Sequence, residues 1–338
     1  MRAPSAALQA SACALLLTGC KGVQTMLDPA GEQARHIDVI WRAMLGVCGF
    51  MYVLVLAFLA WAIWRARRAP GLMEPATGHT ASEPRLERSL GVWAAMITAG
   101  LTSLVLLSFV VDRSMAARAP QPLDVTITAN QWWWQVRYED GRPDQSLTTA
   151  NELHLPVDRP ARLKLVGSDV IHSFWAPNLG GKQDLIPGRT NYVTLTPRRV
   201  GQFRAQCAEF CGLQHAHMAL TLTVQTPLAF DRWRAEQLQA APSPGTPDQI
   251  AGQHIFLSRA CVLCHAISGT QANATSAPDL THIASRPTLA AGSLPNTPAN
   301  LKSWIEDPAR FKPGVNMPKV PLSGHELDQL VAYLEALK

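Results

Sequence analysis

The stretch Cys207-Ala-Glu-Phe-Cys211-Gly-Leu-Gln-His215-Ala-His217-Met218 places two cysteines, a histidine and a methionine at i, i+4, i+8 and i+11. Thiolate, imidazole and thioether form a soft donor set, which suits copper and excludes magnesium or calcium. Tetrahedral zinc is the competing occupant, because two cysteines and a histidine also suit it, but zinc sites rarely recruit methionine. Phe203 and Ala205 before the stretch, and Leu220, Leu222 and Val224 after it, alternate as strand residues do. The donors therefore fall on a loop between two strands.

The same alternation extends outward over residues 120–239. Val125-Ile127, Leu153-Leu155, Leu163-Leu165 and Val193-Leu195 each skip one residue and are separated by Pro, Gly and Asp turns. Short strands at that spacing predict an all-β sandwich or barrel. Leu228-Ala-Phe-Asp-Arg-Trp233 reads as a short closing helix, and residues 240–247 (Ala-Ala-Pro-Ser-Pro-Gly-Thr-Pro) as a stiff linker. Such a linker reaches about 25 Å at ~3 Å per residue.

From residue 248 the pattern turns helical, with Leu327, Leu330, Leu334 and Leu337 at helical spacing. Within 248–338, Cys261-Val-Leu-Cys264-His265 is the covalent c-type haem attachment motif: the cysteines bond the vinyl groups and the histidine lies under the iron. A thioredoxin-like pair is disfavoured by that histidine and by the missing βαβ context. Met317 is the methionine available as sixth ligand, with His282 as runner-up; His254 falls in the helix before the motif, and His325, which opens the last helix, reads as a surface residue. Thioether ligation raises the haem potential. Arg310, Lys312 and Lys319 flank Met317.

Only 16% of the 338 residues are charged and 47% are apolar, which points to membrane segments. Ala43–Trp64 and Ser89–Val111 carry no charge and are each long enough for one crossing at about 20 residues. Trp41, Trp61, Trp64 and Trp93 lie near their ends, where aromatic belts sit. Arg65, Arg67, Arg68, Arg85 and Arg88 lie between the two spans and predict a cytoplasmic loop, so everything after Val111 faces outward. Residues 1–19 read as an export signal ending Leu17-Thr-Gly-Cys20, which resembles a bacterial lipoprotein signal with Cys20 lipidated. The net charge of +5 is spread without a basic run, which argues against nucleic acid as a partner. Each of the seven cysteines has another use, so no structural disulfide is required.

The order of these parts resembles subunit II of the haem-copper cytochrome c oxidases, fused to a class I cytochrome c. Ser168-Asp-Val-Ile-His172 with Lys182-Gln-Asp-Leu-Ile-Pro-Gly-Arg189, the loop above, and Trp132-Trp-Trp134 carry the first likeness. Gly252, Phe256, Tyr333 and Pro278 carry the second. The resemblance implies a multidomain membrane protein: a two-helix transmembrane hairpin within 20–119, an all-β cupredoxin-like (Greek-key) domain, and an all-α cytochrome c domain. It implies dinuclear copper, CuA, bridged by Cys207 and Cys211, with His172 and His215 one on each metal. Met218 and the Glu209 carbonyl would be weaker ligands, and the Glu209 carboxylate would reach magnesium shared with subunit I. Trp132 aligns with the residue through which electrons arrive, whereas Trp134 reads as core. Trp133 and Val136 depart from the family's usual aromatics. His217 and His154 read as non-ligands, and Glu87 as a solvated charge rather than a proton-uptake group.

The function so implied is electron input to a terminal oxidase in the bacterial inner membrane, with the copper and haem domains on the periplasmic side. A cytochrome c or quinol–cytochrome c reductase would feed haem c, then CuA, then subunit I, with subunit III as a further partner and oxygen reduction coupled to proton pumping. Oxygen chemistry would belong to the complex, since neither span carries a histidine cluster. The competing readings are a copper-containing small subunit of a nitric oxide reductase, a membrane-anchored copper carrier, and a quinol-oxidase subunit. The last lacks the copper ligands that are all present here.

Overall fold

The computed structural model describes residues 21–68, 84–115, 121–139 and 146–338. Cys20 and the leader lie outside the described residues. The chain divides into two units, one of residues 36–118 and the other of everything else described.

The first unit is a pair of helices belonging to α1 (Glu32–Arg68) and α2 (Pro84–Met115). Both are long and apolar enough to cross a membrane. Each overruns the charge-free run that marks it in the sequence. The helix backbone satisfies its own hydrogen bonds and continues into the polar margin. Arg65 and Arg68 fold back over Trp61 and Trp64, 5.5 and 4.1 Å from the ring centroids. The hydroxyls of Thr98 and Ser103 donate to Ala94 O and Ala99 O at 2.8 Å, so neither needs water.

In the second unit two five-stranded sheets face each other, in the orders β3-β2-β1-β5-β8 and β4-β10-β9-β6-β7. The strands are β1 Leu123–Asn130, β2 Trp133–Tyr138, β3 Leu147–Ala150, β4 Glu152–Pro156 and β5 Ala161–Gly167. They continue with β6 His172–Trp175, β7 Gln183–Leu185, β8 Asn191–Leu195, β9 Gly201–Cys207 and β10 Ala219–Gln225. Every second residue of β1 and β5 points inward, and Trp134, Tyr138, Phe174 and Phe230 fill the space between the sheets. Helix α3 (Pro227–Gln237), capped by Thr226, lays Phe230 and Trp233 on Tyr138.

Residues 22–35, which precede the hairpin within the 20–119 segment, pack on this sandwich. Asn178 donates to Gly22 O and Asp28 O at 3.0 Å, Arg199 grips Asp28 through both nitrogens, and Ala30 O accepts from Arg198 N. Gly31 allows that approach: a Cβ there would stand 2.6 Å from Leu179 O.

The C-terminal domain is built on α4 (Pro247–Ser258) crossing α7 (Gly324–Glu335), with α5 (Pro298–Glu306) and α6 (Pro308–Phe311) between them. A Cβ on Gly252 would lie 2.0 Å from Gln329 O, so only glycine permits the crossing. Phe256 and Tyr333 meet across it at 6.3 Å. Capping boxes at Thr246/Gln249 and Ser323/Glu326 start the two helices. A two-residue ribbon, β11 (Thr288–Leu289) with β12 (Leu294–Pro295), interrupts an otherwise helical domain.

Candidate metal centre and haem site

Strand pairing assembles the copper donors. β6 lies antiparallel to β9 with Phe174 opposite Cys207, which brings His172, at the start of β6, beside the cysteine that ends β9. The turn from Cys207 to Met218 closes on itself, because Cys207 N donates to Met218 O at 3.0 Å. Sγ of Cys207 and Sγ of Cys211 then stand 3.7 Å apart as free thiols. One imidazole Nδ1 faces each sulfur: His172 at 3.8 Å from Cys207 and His215 at 3.7 Å from Cys211. Glu209 O approaches Cys207 Sγ to 3.2 Å, and Met218 is buried beside the pair. His172, Cys207 and Cys211 are close enough together to hold a metal ion.

Electrostatics favour a thiolate. The neighbouring Cys211 thiol, with the His172 ring, holds Cys207 well below the usual thiol range. The same pairing, together with burial, pushes Cys211 up. Burial alone would lower His172; Cys207 and Asp169 outweigh it and raise the ring. Asp169 Oδ1 lies 2.8 Å from His172 Nε2, which fixes that nitrogen as the protonated one and leaves Nδ1 free for metal. Two soft sulfurs with two aimed imidazoles and a backbone carbonyl fit copper.

The remaining histidines of this domain are occupied. His154 stacks on Trp233 at 3.9 Å and its Nδ1 meets Gln225. His217 Nδ1 meets Gln214 Oε1 at 3.0 Å. Trp134 is core, edge-on to Phe174 and His172, and its indole donates to Met218 O. Trp132 differs: its indole Nε1 donates to Cys211 O at 2.9 Å, directly on the donor loop. Glu209 and Glu87 carry exposed side chains.

In the helical domain, His265 Nδ1 faces Pro278 O at 2.7 Å, which leaves Nε2 free as an iron ligand. Burial lowers the His265 ring, so it is held neutral, as a ligand must be. Cys261 and Cys264 are free thiols beside it. The donors fit a covalent haem c. His282, the alternative sixth ligand, has both ring nitrogens facing backbone carbonyls, Lys338 O and Gln239 O. His254 and His325 are exposed, and Met317 is half-buried.

Fold and donors together define a membrane-anchored redox protein that carries a cupredoxin-like domain and a cytochrome c domain on one chain. Residues 141–225 match the family model described as cytochrome C oxidase subunit II, periplasmic domain, and residues 249–338 match cytochrome c. Cytochrome c oxidase subunit 2 of Alkalihalophilus pseudofirmus is 32% identical over 96% of this chain and 94% of its own length. That of Bacillus subtilis is 30% identical over 96% and 95%. The crystal structure of the periplasmic domain of cytochrome oxidase subunit II from Bradyrhizobium japonicum is 30% identical, with a TM-score of 0.33, covering 36% of this chain and 96% of that one. The chain belongs to the cytochrome c oxidase subunit 2 family, in the form that carries its own cytochrome c domain.

Asp169 is a functional residue that sequence reasoning passed over, although it stands inside the quoted Ser168–His172 block. An acid three residues before a histidine has no distinctive pattern; the turn that folds it back gives it its role.

Proposed function

We propose that this chain is the electron-input subunit of a terminal oxidase, receiving electrons on its cytochrome c domain and delivering them from its copper domain to subunit I. The observation that carries the reading is the pair of thiols at 3.7 Å, each faced by one imidazole Nδ1. Cys207, Cys211, His172, His215, Met218 and Glu209 O would hold copper, and Cys261, Cys264, His265 and Met317 would hold haem c; both groups would supply one-electron redox chemistry. Asp169 orients His172, and Pro278 orients His265, so each ring is aimed by a fixed hydrogen-bond partner. Trp132 links the donor loop to the surface that the haem domain covers.

The paired donor arrangement supports a reading of two coppers per chain. The exposed Glu209 carboxylate is available to magnesium shared with subunit I. The arginines between the spans support a cytoplasmic loop, with both redox domains periplasmic and Cys20 the lipidated N-terminus. A cytochrome c or a quinol–cytochrome c reductase is the donor, subunit III a further partner, and oxygen reduction coupled to proton pumping the output of the complex.

Copper analysis and EPR of the purified complex test this, together with gas consumption. Two coppers per chain, a mixed-valence signal and oxygen uptake are expected. One readily exchanged copper would mark a carrier, and nitric oxide uptake without oxygen uptake would mark a reductase of that gas.

A further inference from the structure

Lys312 reads in the sequence as one of three cations flanking Met317. In the structure it is 2% exposed. Its ammonium donates to three backbone carbonyls, Trp132 O at 2.8 Å, His217 O at 2.9 Å and Ala290 O at 3.2 Å. The first two belong to the copper domain and the third to the haem domain. Buried ammonium groups are costly unless fully hydrogen-bonded, so a lysine that spends two of its three donors across a domain boundary and the third on its own domain marks a built contact.

Neighbouring contacts carry the same message. Gln214 donates to Pro313 O at 2.8 Å, and Ala219 N to Ala291 O at 3.0 Å. Ala290 and Ala291 have φ of 51° and 56°, a left-handed conformation alanine adopts only when its surroundings enforce it. Gly292 follows at φ 81°, where a Cβ would stand 2.9 Å from Ala219 Cβ. A Cβ on Gly314 would lie 3.5 Å from the Trp132 ring, and Trp132 itself is 7% exposed. Further along the boundary, buried Arg286 faces buried Glu152 at 3.5 Å and donates to Asp279 O, next to the Pro278 that holds His265.

We propose that Lys312 is the positioning residue that locks the haem domain onto the copper domain, holding the backbone that leads to Met317 against Trp132. The proposal rests on the electron-relay reading above. Docked in this way, the haem domain covers the Trp132 edge. Outside donors then deliver to the haem domain, and transfer to copper is intramolecular.

The test uses the full chain, loaded with both cofactors, as Lys312→Met and Lys312→Gln. Flash reduction of the haem gives the rate of haem-to-copper transfer, and hydrogen–deuterium exchange reads Gln131–Trp132 and Ala290–Gly292. Intact haem and copper spectra, transfer slowed about tenfold as the docked fraction falls, and faster exchange in both segments are expected. Lys319→Met, which removes an exposed cation near Met317, should match the unaltered chain. Unchanged rate and exchange with both cofactors present would overturn the proposal, as would an equal slowing in Lys319→Met. Should Lys312→Met lose its haem spectrum, Lys312→Gln carries the test; loss in both would assign Lys312 to the haem domain's own fold and overturn the docking role. Absence of transfer in the unaltered chain would defeat the relay reading instead, while the exchange data would still judge the lock.

Discussion

The copper and haem domains solve the same problem by opposite routes. In the haem domain three of the proposed attachment points, Cys261, Cys264 and His265, lie within five consecutive residues, and one carbonyl, Pro278 O, orients the histidine. In the copper domain His172 is brought to Cys207 only by the pairing of β6 with β9, and Asp169 must fold back to aim the ring. One site is local and depends on helices crossing behind it; the other is long-range and is a property of the sandwich itself. Damage should therefore stay within the domain it strikes, unless it falls on the boundary between them.

The largest break in that comparison is Cys207→Ser, which removes one of the two paired sulfurs. The mixed-valence EPR and optical signature should vanish while the haem spectrum is unchanged; a surviving copper signal would refute the assignment. Gly252→Val strikes the other domain, forcing a side chain where a Cβ already lies 2.0 Å from Gln329 O. Overpacking of this kind costs about 1–3 kcal/mol, which lowers the melting temperature of a domain this size by about 4–8 °C per kcal/mol. Calorimetry should show that loss in the haem domain alone.

Asp169→Ala is subtler, because every proposed copper ligand stays in place. Loss of the group that orients a ligating histidine typically weakens metal binding about 10–100-fold, measurable by competition with a copper chelator. An unchanged affinity would show that the sandwich alone holds His172.

The smallest effect expected concerns pH at the boundary. Burial raises the Glu152 carboxyl, but His154, Arg286 and Thr149 outweigh it and set it below its ordinary 4.5. A carboxyl lowered in the folded state gives stability that is complete above its unfolded value and is lost as pH falls through the folded one. Melting of the loaded chain should be insensitive to this group from neutrality to about pH 4.5 and should fall in more acid solution. Glu152→Gln should remove that acid limb.

What could be read from the sequence follows the same division. The haem motif, the donor loop and the two apolar runs are contiguous, so residue type and spacing suffice. Gly252 could be matched by family likeness, yet its reason, the close crossing of α4 and α7, appears only in three dimensions. His172 came from resemblance, because nothing local ties it to a cysteine 35 positions later that strand register places beside it. Lys312 was legible only as a charge near Met317, since spacing says nothing about which carbonyls will surround it. Residues 22–35 carry no alternation strong enough to announce that they pack on the sandwich. Linker composition gave reach, while Ala241 N donating to Ser268 O shows that the segment is laid along the haem domain.

The relay is tested most directly by mixing the fully oxidised complex with a reduced small cytochrome c and following both chromophores in the first turnover. Haem absorbance should change first, with copper reduction rising as the haem is reoxidised. Copper reduced ahead of the haem, or at a rate indifferent to it, would contradict the relay.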